Sequence, residues 1–140
     1  MQNSGVRVLV VEDSTSWSEL VRSMLEQLQA LRVVGVASNG PEAVEKAKHL
    51  SPDLILLDIG LPQLNGIEVA RRILALTPQS RIIFVSENRD PDIVEEALQT
   101  GARGYVLKSH AASELLLAVE VVRGGGTFVS ELLSLSGNHL

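Results

Sequence analysis

Five short and almost wholly apolar runs recur along the chain, at Val6 to Val11, Val33 to Ala37, Leu54 to Leu57, Ile82 to Val85 and Tyr105 to Leu107. Each has the length of a strand. Continuous apolarity, rather than alternation, is what a strand requires when helices cover both of its faces, and this points to a parallel sheet. Between the runs, apolar residues return every three or four positions: Trp17, Leu20, Val21, Met24, Leu25 and Leu28; Val69, Ile73 and Leu76; Ile93, Val94, Ala97 and Leu98; Leu115, Val119 and Val122. The strands start near residues 6, 33, 54, 82 and 105, which leaves room each time for one strand and one crossover helix. No motif repeats between the units, so a solenoid is set aside. The chain is expected to fold as a doubly wound (βα)5 α/β sandwich.

Boundary signals agree with this reading. Ser16 with Glu19 and Asn65 with Glu68 have capping-box spacing, while Pro41 and Pro91 suit a first helical position after Gly40 and Asp90. Thr77-Pro78, Gly101 and the run Gly124-Gly125-Gly126 are expected stops. One domain is expected over residues 1–126, followed by a tail or truncated linker over 127–140.

A chain of 140 residues buries about two-thirds of its unfolded surface and needs no disulfide or structural metal to stand alone. Cysteine is absent, which excludes thiol catalysis, Cys-based zinc sites and iron-sulfur clusters. A net charge of -5 argues against direct binding of nucleic acid by this chain. No run approaches a membrane span and no basic-then-apolar leader opens the sequence, so a cytoplasmic address is expected and a membrane partner is not.

Open parallel sheets bind ligands in the crevice at the C-terminal ends of their strands. The first strand runs into Glu12-Asp13, the third into Asp58, the fourth into Ser86 and the fifth into Lys108. Neighbouring strands lie about 4.8 Å apart, so acids from two of them can converge. Two carboxylates about 4 Å apart repel by roughly 4 kcal/mol at an effective dielectric near 20. A cation has to offset this. Lys108 is one candidate; Mg²⁺, held by carboxylates, waters and the Gly60 carbonyl, is the other. Such an ion would organise a phosphoryl group for attack by Asp58, with Lys108 and the Ser86 hydroxyl on the remaining phosphoryl oxygens.

The combination of Glu12-Asp13, Leu56-Leu57-Asp58-Ile59-Gly60-Leu61-Pro62 with Gly66, Ser86, and Tyr105-Val106-Leu107-Lys108 resembles the receiver domain of two-component response regulators over residues 6 to about 124. The resemblance implies a flavodoxin-like sheet of order 2-1-3-4-5 and phosphorylation of Asp58 by a histidine kinase or phosphotransfer protein. It implies that Asp13, with Asp58, Gly60 and, through water, Glu12, holds Mg²⁺, and that Lys108 contacts the phosphoryl group. Ser86 would move toward that group and Tyr105 would change rotamer with it. The surface of helix four, strand five and helix five would be remodelled, with homodimerisation on phosphorylation. Such a protein catalyses its own phosphorylation and dephosphorylation and acts on no metabolite. Two departures stand out. Glu87 follows the switch hydroxyl where a small residue is usual, and Ser109 follows the lysine where proline is common. The second is similar to the subfamily that usually carries a C-terminal helix-turn-helix, and residues 127–140 are too few to form one.

Each of these residues also has a plainer role open to it. Asp13 serves as a solvated loop or cap, Ser86 as a turn cap, Lys108 as a strand-edge charge, Tyr105 as a core aromatic, and Gly60, Pro62 and Gly66 as turn residues. The three glycines at 124–126 are no phosphate loop, since no Gly-Lys-Ser/Thr follows. His49, His110 and His139 lack metal-ligand spacing and are assigned to the surface. Trp17 fits either helix-one packing or the rim of the acidic crevice. Competing functions are a phosphorylation-independent interaction module, suggested by Glu87, and a small phosphohydrolase with an Asp58 nucleophile. The latter needs a second aspartate where Gly60 stands. A dinucleotide fold is weaker, for want of Gly-x-Gly-x-x-Gly after the first strand.

Overall fold

The computed structural model describes residues 5–133. Strands β1 (Val6–Val11), β2 (Leu31–Ala37), β3 (Leu54–Leu57), β4 (Arg81–Ser86), β5 (Gly104–Leu107) and β6 (Phe128–Val129) alternate with helices α1 (Thr15–Leu25), α2 (Gly40–Leu50), α3 (Gly66–Leu76), α4 (Pro91–Gln99) and α5 (Ala111–Arg123). A single 3-10 turn, Lys108–His110, joins β5 to α5. The sheet has the order β2-β1-β3-β4-β5-β6, and all its pairings are parallel.

The five expected strands and their order are therefore found, and a sixth is added. Phe128 donates its N–H to Arg103 O and Ser130 donates to Tyr105 O, which extends the sheet beyond β5. Residues 128 and 129, expected as part of a tail, are thus the sheet's edge strand, and residues 131–133 after them form a helical turn. Two residues are too few to show a period, so the strand is invisible locally and exists through its tertiary partners. Residues 134–140 of the expected tail lie outside the described residues.

Side chains of successive strand residues alternate between two cores. Leu9, Val11, Ile55, Leu57, Ile82, Phe84, Tyr105 and Leu107 face α2, α3 and α4, where Ala43, Ala47, Val69, Ile73 and Ala97 meet them. Val8, Val10, Leu54, Leu56, Ile83, Val85 and Val106 face α1 and α5, against Val21, Leu25, Leu115, Val119 and Val122. Both faces of the central strands are covered, so β3 and β5 are buried at every position, while the edge strand β2 leaves Arg32 exposed. That is the physical content of the unbroken apolar runs.

The caps agree with expectation at two helices and differ at two. Asn65 accepts from Ile67 N and Glu68 N, and Asp90 accepts from Asp92 N ahead of Pro91. At α2 the helix begins at Gly40, so Pro41 is its second residue, and the cap is Asn39, which accepts from Glu42 N. At α1 the cap is Ser14, which accepts from Trp17 N, and not Ser16. The helix begins earlier because Glu12 and Ser14 already turn the chain: the Ser14 N–H donates to Glu12 Oε2 at 3.0 Å. The helix stops fall where expected, at Thr77, just before Gly101 and at Gly124.

In the loop after β3 the glycines have separate tasks. The left-handed residue is Gln63, at φ 73°, so neither Gly60 nor Gly66 is needed there for positive φ. Gly66 is needed for space: a Cβ on it would lie 2.2 Å from the Asp58 carbonyl oxygen and 2.6 Å from Ile59 Cα. The start of α3 therefore presses directly on the backbone that carries Asp58.

Candidate functional site

Strand register brings the acids together. Val11 pairs with Leu57, so Glu12 and Asp58 leave adjacent strands at the same level, and Asp58 N donates to Val11 O at 3.1 Å. The chain passes from β1 to β2 on one side and to β3 on the other, which opens the crevice at this point. Ser86 pairs with Leu107, so Lys108 emerges one residue above Ser86.

Within the crevice Glu12, Asp13 and Asp58 each offer a carboxylate oxygen, and these atoms lie within 4.8 Å of one another. Glu12 and Asp58 are buried and Asp13 is exposed. The Lys108 ammonium stands 2.8 Å from Glu12 Oε1 and 3.5 Å from Asp58 Oδ2. Three carboxylates thus face one ammonium, a formal excess of two negative charges. An all-oxygen donor set with that excess fits a hard divalent cation such as Mg²⁺. The second Asp58 oxygen, Oδ1, accepts from Gly60 N at 3.3 Å, and Gly60 itself is exposed at the mouth.

Electrostatics reflect the crowding. Burial raises the Glu12 carboxyl above its ordinary range and the Asp58 charge adds to this, against the lowering effect of Lys108 and the Ser14 N–H. Burial works against the Lys108 ammonium, yet its hydrogen bond to Glu12 and the charges of Asp58 and Glu12 together raise its pKa. The lysine stays charged because its partners are acids.

On the far side of the crevice Ser86 Oγ accepts from Asn88 N at 3.1 Å, and the Tyr105 hydroxyl donates to Asn88 O at 2.8 Å. Ser86 is therefore a turn cap at the crevice edge. Tyr105 is a fully buried core aromatic whose ring lies 6.1 Å from that of Phe84, and burial raises its hydroxyl pKa. Both residues occupy their plainer roles while facing the β4–α4 loop, and both hold it through Asn88. Nothing in the local sequence singled out Asn88; it is found only through its backbone.

A family model described as the response regulator receiver domain matches residues 8–120. The chain belongs to the response regulator receiver family. Transcriptional regulatory protein LnrK of Bacillus subtilis is 36% identical to this receiver domain over 121 residues, which cover 86% of the chain and 55% of that protein. Chemotaxis protein CheY of Thermotoga maritima is 34% identical over 118 residues, 84% of the chain and 98% of that protein. A crystal structure of a LuxR-family two-component response regulator from Aurantimonas sp. SI85-9A1 superposes with a TM-score of 0.92 at 28% identity, covering 96% of each chain. The receiver domain spans little more than half the length of LnrK and of several similar regulators.

Trp17, for which the sequence left two places open, takes both. Its ring packs against the α1/α5-side core and also stands at the crevice rim, with Lys108 Nζ 5.2 Å from its centroid. Glu87 is exposed and lines a cleft of about 310 Å³ with Trp17, Arg89, Lys108 and Ser109, beside the acids. Of the histidines, His49 is exposed, with Nδ1 3.2 Å from Glu45 Oε2. His110 is partly exposed against Ser109, and His139 lies outside the described residues. Among the described residues no helix is long and apolar enough to cross a membrane.

Proposed function

We propose that this receiver domain is a phosphoacceptor switch in the cytoplasm, whose Asp58 takes a phosphoryl group from the phosphohistidine of a histidine kinase or phosphotransfer protein. The observation that carries this reading is the Lys108 ammonium held between Glu12 at 2.8 Å and Asp58 at 3.5 Å, with Asp13 completing an oxygen-only cluster. An Asp58 carboxylate oxygen forms the new O–P bond as the donor's N–P bond breaks, and the bonding pair leaves with the imidazole. Asp13, Asp58 and the Gly60 carbonyl would hold Mg²⁺, with Glu12 assisting through water, and the ion would supply charge neutralisation for the phosphoryl oxygens. Lys108 binds one of those oxygens, and Ser86 releases Asn88 N–H to reach another. Because Tyr105 is tied to the same Asn88, that exchange loosens its hydroxyl contact and remodels the surface of α4, β5 and α5, on which two copies dimerise.

Incubation with Mg²⁺ and phosphoramidate is expected to add the mass of one phosphoryl group, and Asp58→Asn is expected to remain unmodified. An unmodified wild-type chain would overturn the proposal. A second reading, a docking module that works without phosphate, is favoured by the exposed Glu87 carboxylate in the cleft beside the site. Equal partner affinity for wild type and Asp58→Ala would select it, whereas faster phosphorylation of Glu87→Ala would show that this carboxylate only slows entry.

A further inference from the structure

Lys108 has a demanding position. Its long flexible stem must hold an ammonium among acids at the mouth of a crevice, and ordering such a side chain costs rotamer freedom. The acids alone do not determine where it rests, since Glu12 and Asp58 each offer it an oxygen. One wall of its site is the face of the Trp17 indole, with Nζ 5.2 Å from the ring centroid. That wall is rigidly mounted. The Trp17 N–H donates to the α1 cap Ser14, whose own N–H donates to Glu12, so the ring and the lysine's closest acid share one hydrogen-bonded turn. The ring also borders the narrow space lined by Glu12, Asp58 and Val85, so it touches the acids' side of the crevice as well as the lysine.

We propose that Trp17 is a positioning residue for phosphoryl transfer: its ring face retains the Lys108 ammonium at the crevice mouth while that ammonium exchanges a carboxylate oxygen for a phosphoryl oxygen. The proposal rests on the reading of Asp58 as phosphoacceptor. An aromatic face suits the task because its attraction for a cation is not directional, so no hydrogen bond to the wall has to break as the ammonium turns. A carboxylate there would add a fourth negative charge, and an amide would compete with the phosphoryl group as acceptor. As the O–P bond to Asp58 forms and the donor's bond to phosphorus breaks, the ring keeps the cation close to the equatorial oxygens throughout.

The test compares wild type, Trp17→Phe and Trp17→Leu in phosphorylation by phosphoramidate at saturating Mg²⁺, across donor concentrations. A small donor removes any contribution of Trp17 to kinase docking. Trp17→Leu is expected to lower the maximal rate about fivefold, as loss of a partly shielded cation–π contact implies, with little change in half-saturating donor concentration. Trp17→Phe is expected to recover most of the rate. Leucine replaces apolar packing but not the ring, so a wild-type rate for Trp17→Leu, or a Phe variant as slow as Leu, overturns the proposal. Independently of rate, the Lys108 Hε protons are expected upfield by ring current in wild type and not in Trp17→Leu; identical shifts would also overturn it. A wild-type chain that takes no phosphoryl group would instead overturn the reading of Asp58.

Discussion

The Ser130 hydroxyl donates to Glu114 Oε1 at 2.5 Å and accepts from Leu107 N at 2.8 Å, all three groups being buried. Glu131 N donates to the other Glu114 oxygen at 3.1 Å. One carboxylate on α5 therefore fastens the chain after β6 to the end of β5, directly beside Lys108. Replacing Ser130 by Ala leaves the Leu107 N–H and a buried carboxylate oxygen without this partner, and is expected to cost about 2 kcal/mol. Urea unfolding measures the loss, and hydrogen exchange is expected to accelerate at the Leu107 and Ser130 amides. Unchanged protection at Leu107 would refute the fastening.

Mg²⁺ is expected to raise the melting temperature. Three carboxylates within 4.8 Å face a single ammonium, so a bound divalent ion relieves their repulsion in the folded state. At a hundred times its dissociation constant a ligand that binds only the native chain stabilises by about 2.7 kcal/mol. Asp13→Asn removes one charge, so without the ion it is expected to melt above wild type, and its response to Mg²⁺ is expected to be largely lost. A calorimetric scan with equal Mg²⁺ effects on both chains would contradict the metal site.

Gly60 and Gly66, both within eight residues of Asp58, are expected to differ sharply in their response to the same substitution. Gly66→Ala drives a Cβ to 2.2 Å from the Asp58 carbonyl oxygen, and backbone cannot yield cheaply, so a loss above about 2 kcal/mol is expected. A Cβ on Gly60 meets nothing within 4 Å, so Gly60→Ala is expected within about 0.5 kcal/mol of wild type. Denaturant midpoints decide; similar losses at both positions would count against the packing described.

Glu42 accepts from Ser38 N at 2.8 Å and pairs with Lys46 at 3.1 Å at the start of α2. The Ser38 backbone bond, with Lys46, lowers its carboxyl pKa from 4.5. A lowered folded pKa means that the unfolded chain binds the proton more readily, so this stability is present above the unfolded value and is lost as pH falls through the folded one. The side chain is partly exposed, and Glu42→Gln is expected to cost only about 0.5 kcal/mol at neutral pH after screening. Melting curves of the two chains are expected to converge on acidification below the ordinary carboxylate range. A gap that stays constant in acid would show that the charge is not involved.

Much of the architecture was legible because burial on both faces writes an unbroken apolar run. β1 and β3 have the expected bounds, and β2, β4 and β5 are longer by one or two residues, taking in Leu31, Arg81, Ser86 and Gly104 at their ends. The acids, Ser86 and Lys108 were legible for a related reason: a polar residue that ends an apolar strand is delivered to the sheet edge by the strand itself. Ser16 has capping-box spacing with Glu19, but the cap is Ser14, because local spacing does not register that the Ser14 N–H is claimed by Glu12.

The amino-acid sequence by itself determined the alternation of strands and helices and which chemical groups reach the C-terminal edge of the sheet. Both are properties of a side chain's place within its own element. Only the tertiary structure decided that Phe128–Val129 joins the sheet, that Asn88 ties Ser86 to Tyr105, and that Trp17 stands over Lys108. Each of these depends on groups brought together by the packing of separate elements, and such distances are set by the closure of the whole fold rather than by any periodicity along the chain.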